Sequence, residues 1–269
     1  MSRFTAEWLS LRERHDLAAR NTGVLDAVTV SVKSRPSVRV LDLACGSGST
    51  VRALHGRLPA RQHWRLVDND PDLLAIARSG NHGKDVALNT VQLDLAHGLD
   101  AALEGEIDLI TISALLDLVS RTWLDRLLHE VRIRELPVYA ALTYDGRADL
   151  SPGDPFDAAI VSAVNAHQRT DKGFGPALGP SAADVSIAGF EAHGYSVVRG
   201  ESDWVIGPDD LAMQTALLEG WASAAREMGT LSGGDISGWL ARRKTALGQR
   251  LSSIRVGHVD FFAFPSSTR

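Results

Sequence analysis

Several features that mark other classes of protein are scarce in this sequence. Cysteine occurs once, so Cys45 can form neither an internal disulfide bond nor a thiolate metal cluster. No apolar run reaches the roughly 18 residues that a membrane-spanning helix requires, and the first twenty residues carry too much charge for a secretory signal. We therefore expect a soluble, cytoplasmic protein with no membrane partner.

An excess of positive charge is also absent. The chain has 28 Lys and Arg residues against 33 Asp and Glu residues, which gives a formal net charge of −5. Binding to nucleic acid or to an anionic surface relies on a positive field. We therefore expect no nucleic-acid partner.

The overall composition is that of a globular protein. Of the 269 residues, 44% are hydrophobic and 23% are charged, which excludes a disordered chain. The length lies between one and two average domains. We interpret residues 1–269 as a single large domain.

Short β-branched runs alternate with helical patterns between residues 38 and 145. Strands are predicted at 38–43, 63–68, near 89–93, at 107–112 and at 137–143. Asp70, followed by Pro71, and Ser120 are expected to cap two of the intervening helices. Alternating strands and helices indicate a parallel sheet, so the predicted fold class is α/β, a Rossmann-like sheet flanked by helices.

The pattern changes on both sides of this core. Residues 1–36 contain two predicted helices, the second capped by Asn21, and residues 146–180 are rich in glycine, proline and charge around one short helix. We interpret 146–180 as an insertion that forms a lid. Residues 181–269 should complete the sheet, with a helix at 181–193, a strand at 195–206, two helices at about 208–228 and 236–254, and a last strand at 258–264.

The sequence VLDLACGSGST joins the first strand to a glycine turn and a helix. Gly46 and Gly48 allow a ligand to approach the backbone closely, and the following helix N-terminus supplies oriented N–H groups. A nucleotide-like cofactor is therefore expected at the carboxyl ends of the strands. The dinucleotide fingerprint needs a further glycine where Val51 stands, and the Lys-Ser/Thr pair of a phosphate-binding loop is absent. Both observations disfavour a phosphate-bearing ligand.

With these residues the chain resembles the class I S-adenosylmethionine-dependent methyltransferases. Their first motif is an acidic residue followed by three alternating glycines, and Asp42, Ala44, Gly46 and Gly48 occupy those places here. The resemblance covers residues 38–145. It implies S-adenosyl-L-methionine as the cofactor, bound in part by these four residues, although Asp42 also suits the satisfaction of loop amides.

Further residues at the strand ends follow the same resemblance. Asp68 ends the second strand, where the family places the acid that binds the ribose hydroxyls, and Asn69 either lines the adenine pocket or completes a turn. Asp94 ends the third strand and, with Leu95, is expected beside the adenine, although Asp94 also suits a helix cap. Ser113 follows the fourth strand and is expected near the methionine moiety.

The N-terminal helices provide another set of cofactor candidates. Phe4, Trp8 and Leu11 recur at helical spacing. Helices that precede the first strand cover the cofactor in many small-molecule methyltransferases. The resemblance therefore implies that Trp8, Arg12 and Arg20 close over it, with an arginine on the methionine carboxylate. A packed tryptophan beneath a solvated Arg-rich face is the alternative.

The absence of several motifs narrows the possible classes of methyl acceptor. SALLDLVS follows the fourth strand, in place of the Asn/Asp-Pro-Pro-aromatic motif of enzymes that methylate amino groups of nucleic-acid bases. Cys45 lies in the wrong loop for the thiolate of carbon-5 pyrimidine enzymes. Asp117 stands without the further Asp and Asn that hold Mg²⁺ in catechol-type enzymes. No metal is expected, and methylation of a small molecule on O or N remains.

The candidate acceptor site lies after the fourth and fifth strands. Asp117 is a candidate catalytic residue, with an exposed loop or cap carboxylate as the alternative. Tyr144 and Asp145 follow the fifth strand and are expected to contact the acceptor, Tyr144 also as a catalytic candidate, unless they only form a turn with Gly146. His167 is our first choice for a general base because imidazole titrates near neutrality, and a core histidine is the alternative.

The loop after His167 completes the candidate site. Arg169 and Lys172 offer charge, Phe174 offers an aromatic ring, and glycines stand on both sides of that ring. Such a loop suits a substrate lid, so these residues are expected to bind the acceptor. The sequence thus predicts an S-adenosylmethionine-dependent methyltransferase for a small molecule, as a monomer or homodimer. A nicotinamide-dependent oxidoreductase of Rossmann fold and a non-catalytic S-adenosylmethionine-binding protein are the alternatives.

Overall fold

A computed structural model describes residues 4–80 and 83–266. The helices in these residues are α1 (Ala6–Ala19), α2 (Thr22–Val32), α3 (Ser49–Leu54), α4 (Pro71–Ser79), α5 (Leu95–Ala102), α6 (Arg121–Ile133), α7 (Asp157–His167), α8 (Ala182–Ala192), α9 (Leu211–Met228) and α10 (Gly233–Gly248). The strands are β1 (Ser37–Leu43), β2 (Arg61–Asp68), β3 (Val86–Gln92), β4 (Leu109–Ser113), β5 (Val138–Ser151), β6 (Tyr195–Glu201), β7 (Trp204–Ile206) and β8 (Ser253–Pro265).

These strands form one sheet in the order β3-β2-β1-β4-β5-β8-β6, with β7 also paired to β8. Strands β1 to β5 run parallel, and β8 runs antiparallel to β5, β6 and β7. The strand order reverses beside β1, because β2 lies on one side of it and β4 on the other. Open α/β sheets bind ligands at such a point, outside the carboxyl ends of the strands. The predicted α/β class and Rossmann-like sheet are confirmed.

Helices cover both faces of the sheet. Trp123 and Leu127 of α6 pack with α5 and α8 on one face. Val24 and Val28 of α2 pack with α3 and α4 on the other. Strands covered on both faces are apolar without alternation, which is why β4 is almost wholly buried. None of the described helices is both long enough and apolar enough to span a membrane.

The predicted helix caps are confirmed. The side chains of Asp70, Ser120 and Asn21 accept hydrogen bonds from backbone N–H groups in the first turns of α4, α6 and α2. Pro71 stands at the first position of α4, where its missing donor costs nothing. Asp94 caps α5 in the same way, which was the alternative interpretation of this residue.

β5 is longer than the sequence indicated. The prediction placed a strand at 137–143, whereas β5 continues to Ser151 because β8 pairs with it in antiparallel fashion along that length. Tyr144 and Asp145 therefore lie within the strand, and the prediction that they follow it is wrong. The first residues of the predicted insertion also belong to β5. A partner strand more than a hundred residues away supplies these hydrogen bonds, so no local signal reveals them.

Other boundaries in the C-terminal half also differ from the prediction. The single strand expected at 195–206 is divided into β6 and β7 where the Ser202 N–H donates to the His258 carbonyl across the sheet. α9 and α10 begin where Asp210 and Ser232 cap them, a few residues away from the predicted starts. α10 ends earlier than predicted because β8 begins shortly after it.

A third apolar cluster lies beside the extended ends of β5 and β8. It joins α7, α9 and α10 to β7. At its base the Asp157 carboxylate accepts hydrogen bonds from Trp239 Nε1 at 2.8 Å and from Arg243 Nε at 3.0 Å. These contacts hold the start of α7 on α10, so this cluster forms a helical wall beside the carboxyl edge of the sheet.

Candidate active site

A cavity of about 310 Å³ opens at the carboxyl ends of β1, β2, β3 and β4, and we call it the smaller cavity. It lies at the reversal of strand order, and its volume is near the lower end of the usual range for small-molecule sites. The predicted cofactor residues that line it are Ala44, Gly46, Asp68, Asn69, Asp94, Leu95 and Ser113. The structure thus brings together residues from four separate strand ends.

The glycine turn makes one wall of the smaller cavity. Ala44, Gly46 and Gly48 all have positive φ angles, of 55°, 52° and 82°. Left-handed backbone costs a non-glycine residue about 1–2 kcal/mol, and Ala44 adopts it where the family has a glycine. Gly48 does not line the cavity. A Cβ atom there would lie 3.2 Å from the Cβ of Ala77, so this glycine permits close packing of the turn on α4.

Asp68 joins two walls of the smaller cavity. Its Oδ2 accepts a hydrogen bond from the Gly46 N–H at 2.9 Å, and its Oδ1 accepts one from the Asp70 N–H at 3.0 Å. Burial raises the pKa of this carboxyl, and the backbone hydrogen bonds act in the opposite direction. Each carboxylate oxygen has capacity for a second hydrogen bond. Asp68 can therefore shape the turn and still accept two hydroxyl groups of a ligand.

Asp42 and Arg20 lie beneath the smaller cavity and do not line it. Asp42 is completely buried, and its Oδ1 accepts a hydrogen bond from Thr111 Oγ1 at 2.7 Å. Burial raises its pKa to about 7. Arg20 donates to Tyr139 Oη at 3.1 Å and to Ser113 Oγ at 3.4 Å. Arg20 therefore reaches the cavity only through the serine hydroxyl.

Helix α1 forms a roof over the site. Leu9, Arg12 and Asp16 line the smaller cavity, and Arg12 Nε donates to Asp16 Oδ2 at 2.9 Å. Trp8 lines a different, neighbouring cavity. The arginine on the surface of both cavities is thus Arg12, whereas Arg20 was expected to share that position.

The neighbouring cavity, here called the larger cavity, has a volume of about 1080 Å³. It shares five lining residues with the smaller cavity: Phe4, Arg12, Ala114, Leu118 and Lys172. The helical wall of α7 and α9 closes its far side. Four of the candidate acceptor residues line it, namely Asp117, Tyr144, His167 and Lys172. The two cavities therefore meet at a junction formed by the five shared residues.

Asp117 stands in the wall of the larger cavity with a free oxygen. The residue is 6% exposed, and Oδ1 has no hydrogen-bond partner among the described residues. Burial raises the pKa of the carboxyl to about 6, while the charge of Arg12 and a backbone hydrogen bond from Tyr144 oppose this increase. A carboxylate that titrates close to neutrality beside a cavity is suited to accept a proton.

His258 on β8 is a buried polar residue of the same cavity that sequence reasoning missed. Its Nδ1 lies 3.1 Å from the Val256 carbonyl oxygen, and because a carbonyl can only accept, Nδ1 carries the proton. Nε2 is consequently a hydrogen-bond acceptor. Burial and the charge of Arg12 lower the pKa of the ring to about 3, so the ring is neutral. One histidine next to the apolar run at the end of the last strand was the available signal.

His167 has both ring nitrogens engaged. Lys172 Nζ lies 3.3 Å from Nδ1 and can only donate, so Nδ1 accepts and the proton is on Nε2, which lies 3.0 Å from Glu227 Oε2. Tyr144 Oη donates to Asn165 Oδ1 at 2.7 Å, and burial raises the pKa of the phenol. Neither side chain is free to take a proton from a ligand in this arrangement.

The remaining candidates divide between the cavities and the surface. Phe174 lines the smaller cavity and packs edge-on against Trp123 at 5.7 Å. Lys172 lies at the junction, and burial lowers its pKa. Asp145 accepts hydrogen bonds from Arg147, and Arg169 is exposed, so the structure brings neither to a cavity wall. Asp145 points away because β5 continues past it.

Comparison with known proteins gives a family match for the core. Residues 40–134 match the model of a family described as a methyltransferase domain. The matched segment contains the glycine turn, Asp68, Asp94 and Ser113. No curated protein matches the chain.

Solved structures show the same fold. The YcgJ protein of Bacillus subtilis is 14% identical, with a TM-score of 0.51 over 92% of this chain and 100% of that one. A cyclopropane-fatty-acyl-phospholipid synthase-like protein of Lactobacillus casei is also 14% identical, with a TM-score of 0.52 over 97% of this chain and 94% of that one. Residues 40–134 therefore resemble a methyltransferase domain, and the chain shares the Rossmann-like α/β fold of these solved structures.

Proposed function

We propose that the chain is an S-adenosylmethionine-dependent methyltransferase that methylates a small molecule on oxygen or nitrogen. The observation that carries this proposal is the junction of the two cavities. The smaller one is lined by the residues of the cofactor motifs, and the larger one contains Asp117 with its free oxygen. In this arrangement a cofactor and an acceptor would lie on either side of the five shared residues.

The residues of the smaller cavity fit S-adenosylmethionine. The free capacity of the Asp68 carboxylate suits the two ribose hydroxyls, and Asp94 with Leu95 lies at the end expected for the adenine. Ser113 and Arg12 lie toward the junction, where the methionine portion belongs. When bound, the cofactor supplies a methyl group on a positively charged sulfur, and the sulfur keeps the electron pair when the methyl group leaves.

The chain itself contributes alignment and a proton acceptor. Asp117 Oδ1 replaces His167 as our candidate for the general base, because both nitrogens of His167 are engaged. Alignment in a closed site supplies most of the acceleration that such a displacement needs. Helix α1 and the loop that carries Lys172 both contribute residues to the junction.

Two alternatives make different predictions. A nicotinamide-dependent oxidoreductase would need the missing glycine at Val51. A non-catalytic binding protein would need only the smaller cavity, whereas the larger cavity beside it contains a buried carboxyl, that of Asp117, whose pKa is raised to about 6. Asp117 therefore favours an enzyme.

Calorimetry tests the cofactor directly. We expect S-adenosylmethionine and S-adenosylhomocysteine to bind with micromolar or tighter affinity, and NAD to bind far more weakly. Binding of NAD without binding of either sulfur ligand would contradict the proposal. Methyl transfer is then followed with radiolabelled cofactor and a mixture of small hydroxyl and amine acceptors, and nucleic acid serves as the negative control.

A further inference from the structure

The wall of the larger cavity is mainly aromatic and aliphatic. Trp8, Trp204, Trp221 and Tyr144 all line it, and Leu217 is one of several aliphatic neighbours. Trp204 packs on the His258 ring with centroids 4.7 Å apart. Aromatic walls favour planar rings, which bury their faces on them and gain stacking energy. The body of the acceptor is therefore expected to be an aromatic ring system.

Charges of both signs surround this apolar space. Arg12 and Lys172 stand at the junction, where the reacting atom of the acceptor must lie. Asp117, Asp171 and Glu227 also line the larger cavity. An ammonium group at the junction faces two cations, and a carboxylate in the larger cavity faces the buried carboxyl of Asp117 and the exposed carboxylates of Asp171 and Glu227. Both kinds of ion are disfavoured relative to a neutral acceptor.

The polar atoms that await a ligand are hydrogen-bond acceptors. Asp171 Oδ1 already accepts from the Gly173 and Gly175 N–H groups, and Glu227 is paired with His167. Asp117 Oδ1 has no partner among the described residues, and His258 Nε2 carries a lone pair because the ring proton is on Nδ1. A ligand that leaves these atoms unpaired costs desolvation energy, so the matching ligand presents donors.

We propose that the acceptor is a neutral aromatic compound with hydroxyl groups, held by one donor on Asp117 and a second donor on His258. This inference rests on the proposed function. In the reaction the hydroxyl oxygen on Asp117 gains the methyl group and gives its proton to Oδ1. The bond between carbon and sulfur breaks, and its electron pair remains on the sulfur. His258 acts as a positioning residue, because its hydrogen bond sets which hydroxyl reaches the junction.

Binding of four matched probes tests the class of acceptor. The probes are dihydroxynaphthalene, naphthol, naphthylmethylamine and naphthoate, added to protein saturated with S-adenosylhomocysteine and followed by tryptophan fluorescence and calorimetry. We expect the diol to bind most tightly and the ammonium and carboxylate probes to bind at least about 10-fold more weakly. Equal or tighter binding of either ion, or no binding of any probe, would overturn the inference.

Variants of His258 test the second contact. His258→Phe keeps a ring against Trp204 but removes the lone pair, so we expect about 3- to 10-fold weaker binding of the diol and little change for naphthol. His258→Gln retains an acceptor atom and should restore part of the loss. An equal effect on both probes, or none, contradicts the role of His258.

The two proposals fail in different ways. Affinity for S-adenosylhomocysteine is measured on each variant and should stay unchanged, which also shows that the variant is folded. If the wild-type protein does not bind S-adenosylhomocysteine, the proposed function fails, and the ranking of the four probes on the free protein still decides the acceptor class.

Discussion

Three buried carboxylates differ in what their oxygens contact. Asp42 pairs one oxygen with a threonine hydroxyl beneath the smaller cavity and leaves the other without a partner, Asp68 pairs with backbone amides in the wall of that cavity, and Asp117 has an oxygen without a partner in the wall of the larger cavity. Burial raises the pKa of all three. We propose that Asp42 is structural, that Asp68 binds the cofactor and that Asp117 accepts a proton, because Asp68 and Asp117 line the cavities and Asp42 lines neither.

Asp68→Asn should weaken binding of S-adenosylhomocysteine about 10- to 150-fold. The amide removes the charge from contacts with two ribose hydroxyls, and charge-assisted hydrogen bonds contribute about 1.5–3 kcal/mol. Calorimetry measures the effect. Asp72→Asn is the matched control, because Asp72 is exposed on the first turn of α4 and outside the cavity. Equal losses in both variants would refute the role of Asp68.

Asp117→Asn should lower kcat about 100- to 10,000-fold, the usual contribution of a general base, and leave cofactor affinity unchanged. The wild-type rate should fall about 10-fold per pH unit below about pH 6, since the pKa of Asp117 is raised to about 6. The residual rate of the variant should lack this dependence. A pH–rate profile of both proteins checks the assignment, and an unchanged acidic limb in the variant would disprove it.

Asp117→Asn should also change how the stability of the protein depends on pH. Protonation of Asp117 lowers the reaction rate, but it stabilises the folded state. The folded protein holds the Asp117 proton up to about pH 6 and the unfolded chain only up to about 3.8, so wild-type stability falls as pH rises through this window. An asparagine does not ionise, so the variant does not lose stability in this way as the pH rises. Relative to wild type, Asp117→Asn should therefore be more stable by about 3 kcal/mol above the window than below it. Urea unfolding at both ends of the window measures the difference.

At the scale of elements, helix α1 closes both cavities and is tied down at several points along its length. The Glu13 carboxylate pairs with Arg52 on α3, with Oε2 2.8 Å from Nη2. Asp16 Oδ1 accepts from Trp204 Nε1 at 3.0 Å. These contacts join the roof to the glycine turn on one side and to β7 on the other. Movement of α1 would therefore change access to the smaller cavity.

Arg52→Gln should speed the release of S-adenosylhomocysteine about 2- to 5-fold. A partly exposed ion pair contributes about 0.5–1 kcal/mol to holding the roof closed. Stopped-flow fluorescence measures the release rate, and hydrogen exchange in α1 should slow when the ligand binds. Arg57→Gln removes an exposed pair with Asp26, away from the cavities, and should have no effect. Faster release in the control would show that the roof is not responsible.

The loop after α7 is more ordered than a hinged lid requires. The Asp171 carboxylate accepts from the N–H groups of Gly173 and Gly175, whose φ angles of 102° and 86° suit glycine. Isolated bridges also join Asp171 to Pro176 and Ser120 to Ala177. The loop therefore presents Lys172 and Phe174 from a fixed turn, and α1 is the better candidate for the moving part.

At the scale of the whole molecule, the helical wall of the larger cavity depends on Asp157 and Arg243. Arg243→Met should destabilise the protein by about 3 kcal/mol, because it leaves the largely buried carboxylate without its cation. Neighbouring Arg242 pairs with Asp154 and is half exposed, so Arg242→Met should destabilise the protein clearly less than Arg243→Met. Thermal unfolding compares the two variants. A similar loss of stability in both variants would mean that burial does not determine how much each ion pair contributes.

Much of the cofactor side could be predicted from the sequence. The glycine turn, the acids at the ends of the second and third strands, and the caps Asp70 and Ser120 are local features, each determined by residues within a few positions of one another. The parallel sheet then brings the strand ends to one edge. Local patterns and one topological rule were therefore sufficient for the fold class and for most of the smaller cavity.

The acceptor side was decided by the tertiary structure. Tyr144 lies inside β5 because a strand more than a hundred residues later pairs with it, and His258 enters the larger cavity on that same strand. Both ring nitrogens of His167, the predicted base, are engaged, one by Lys172 and the other by Glu227, which is sixty residues away in the sequence. Arg12 lines the junction, whereas Arg20 donates to Tyr139 and Ser113 beneath the smaller cavity. Contacts between distant residues have no local signature, so only the folded chain determines which side chains face the acceptor.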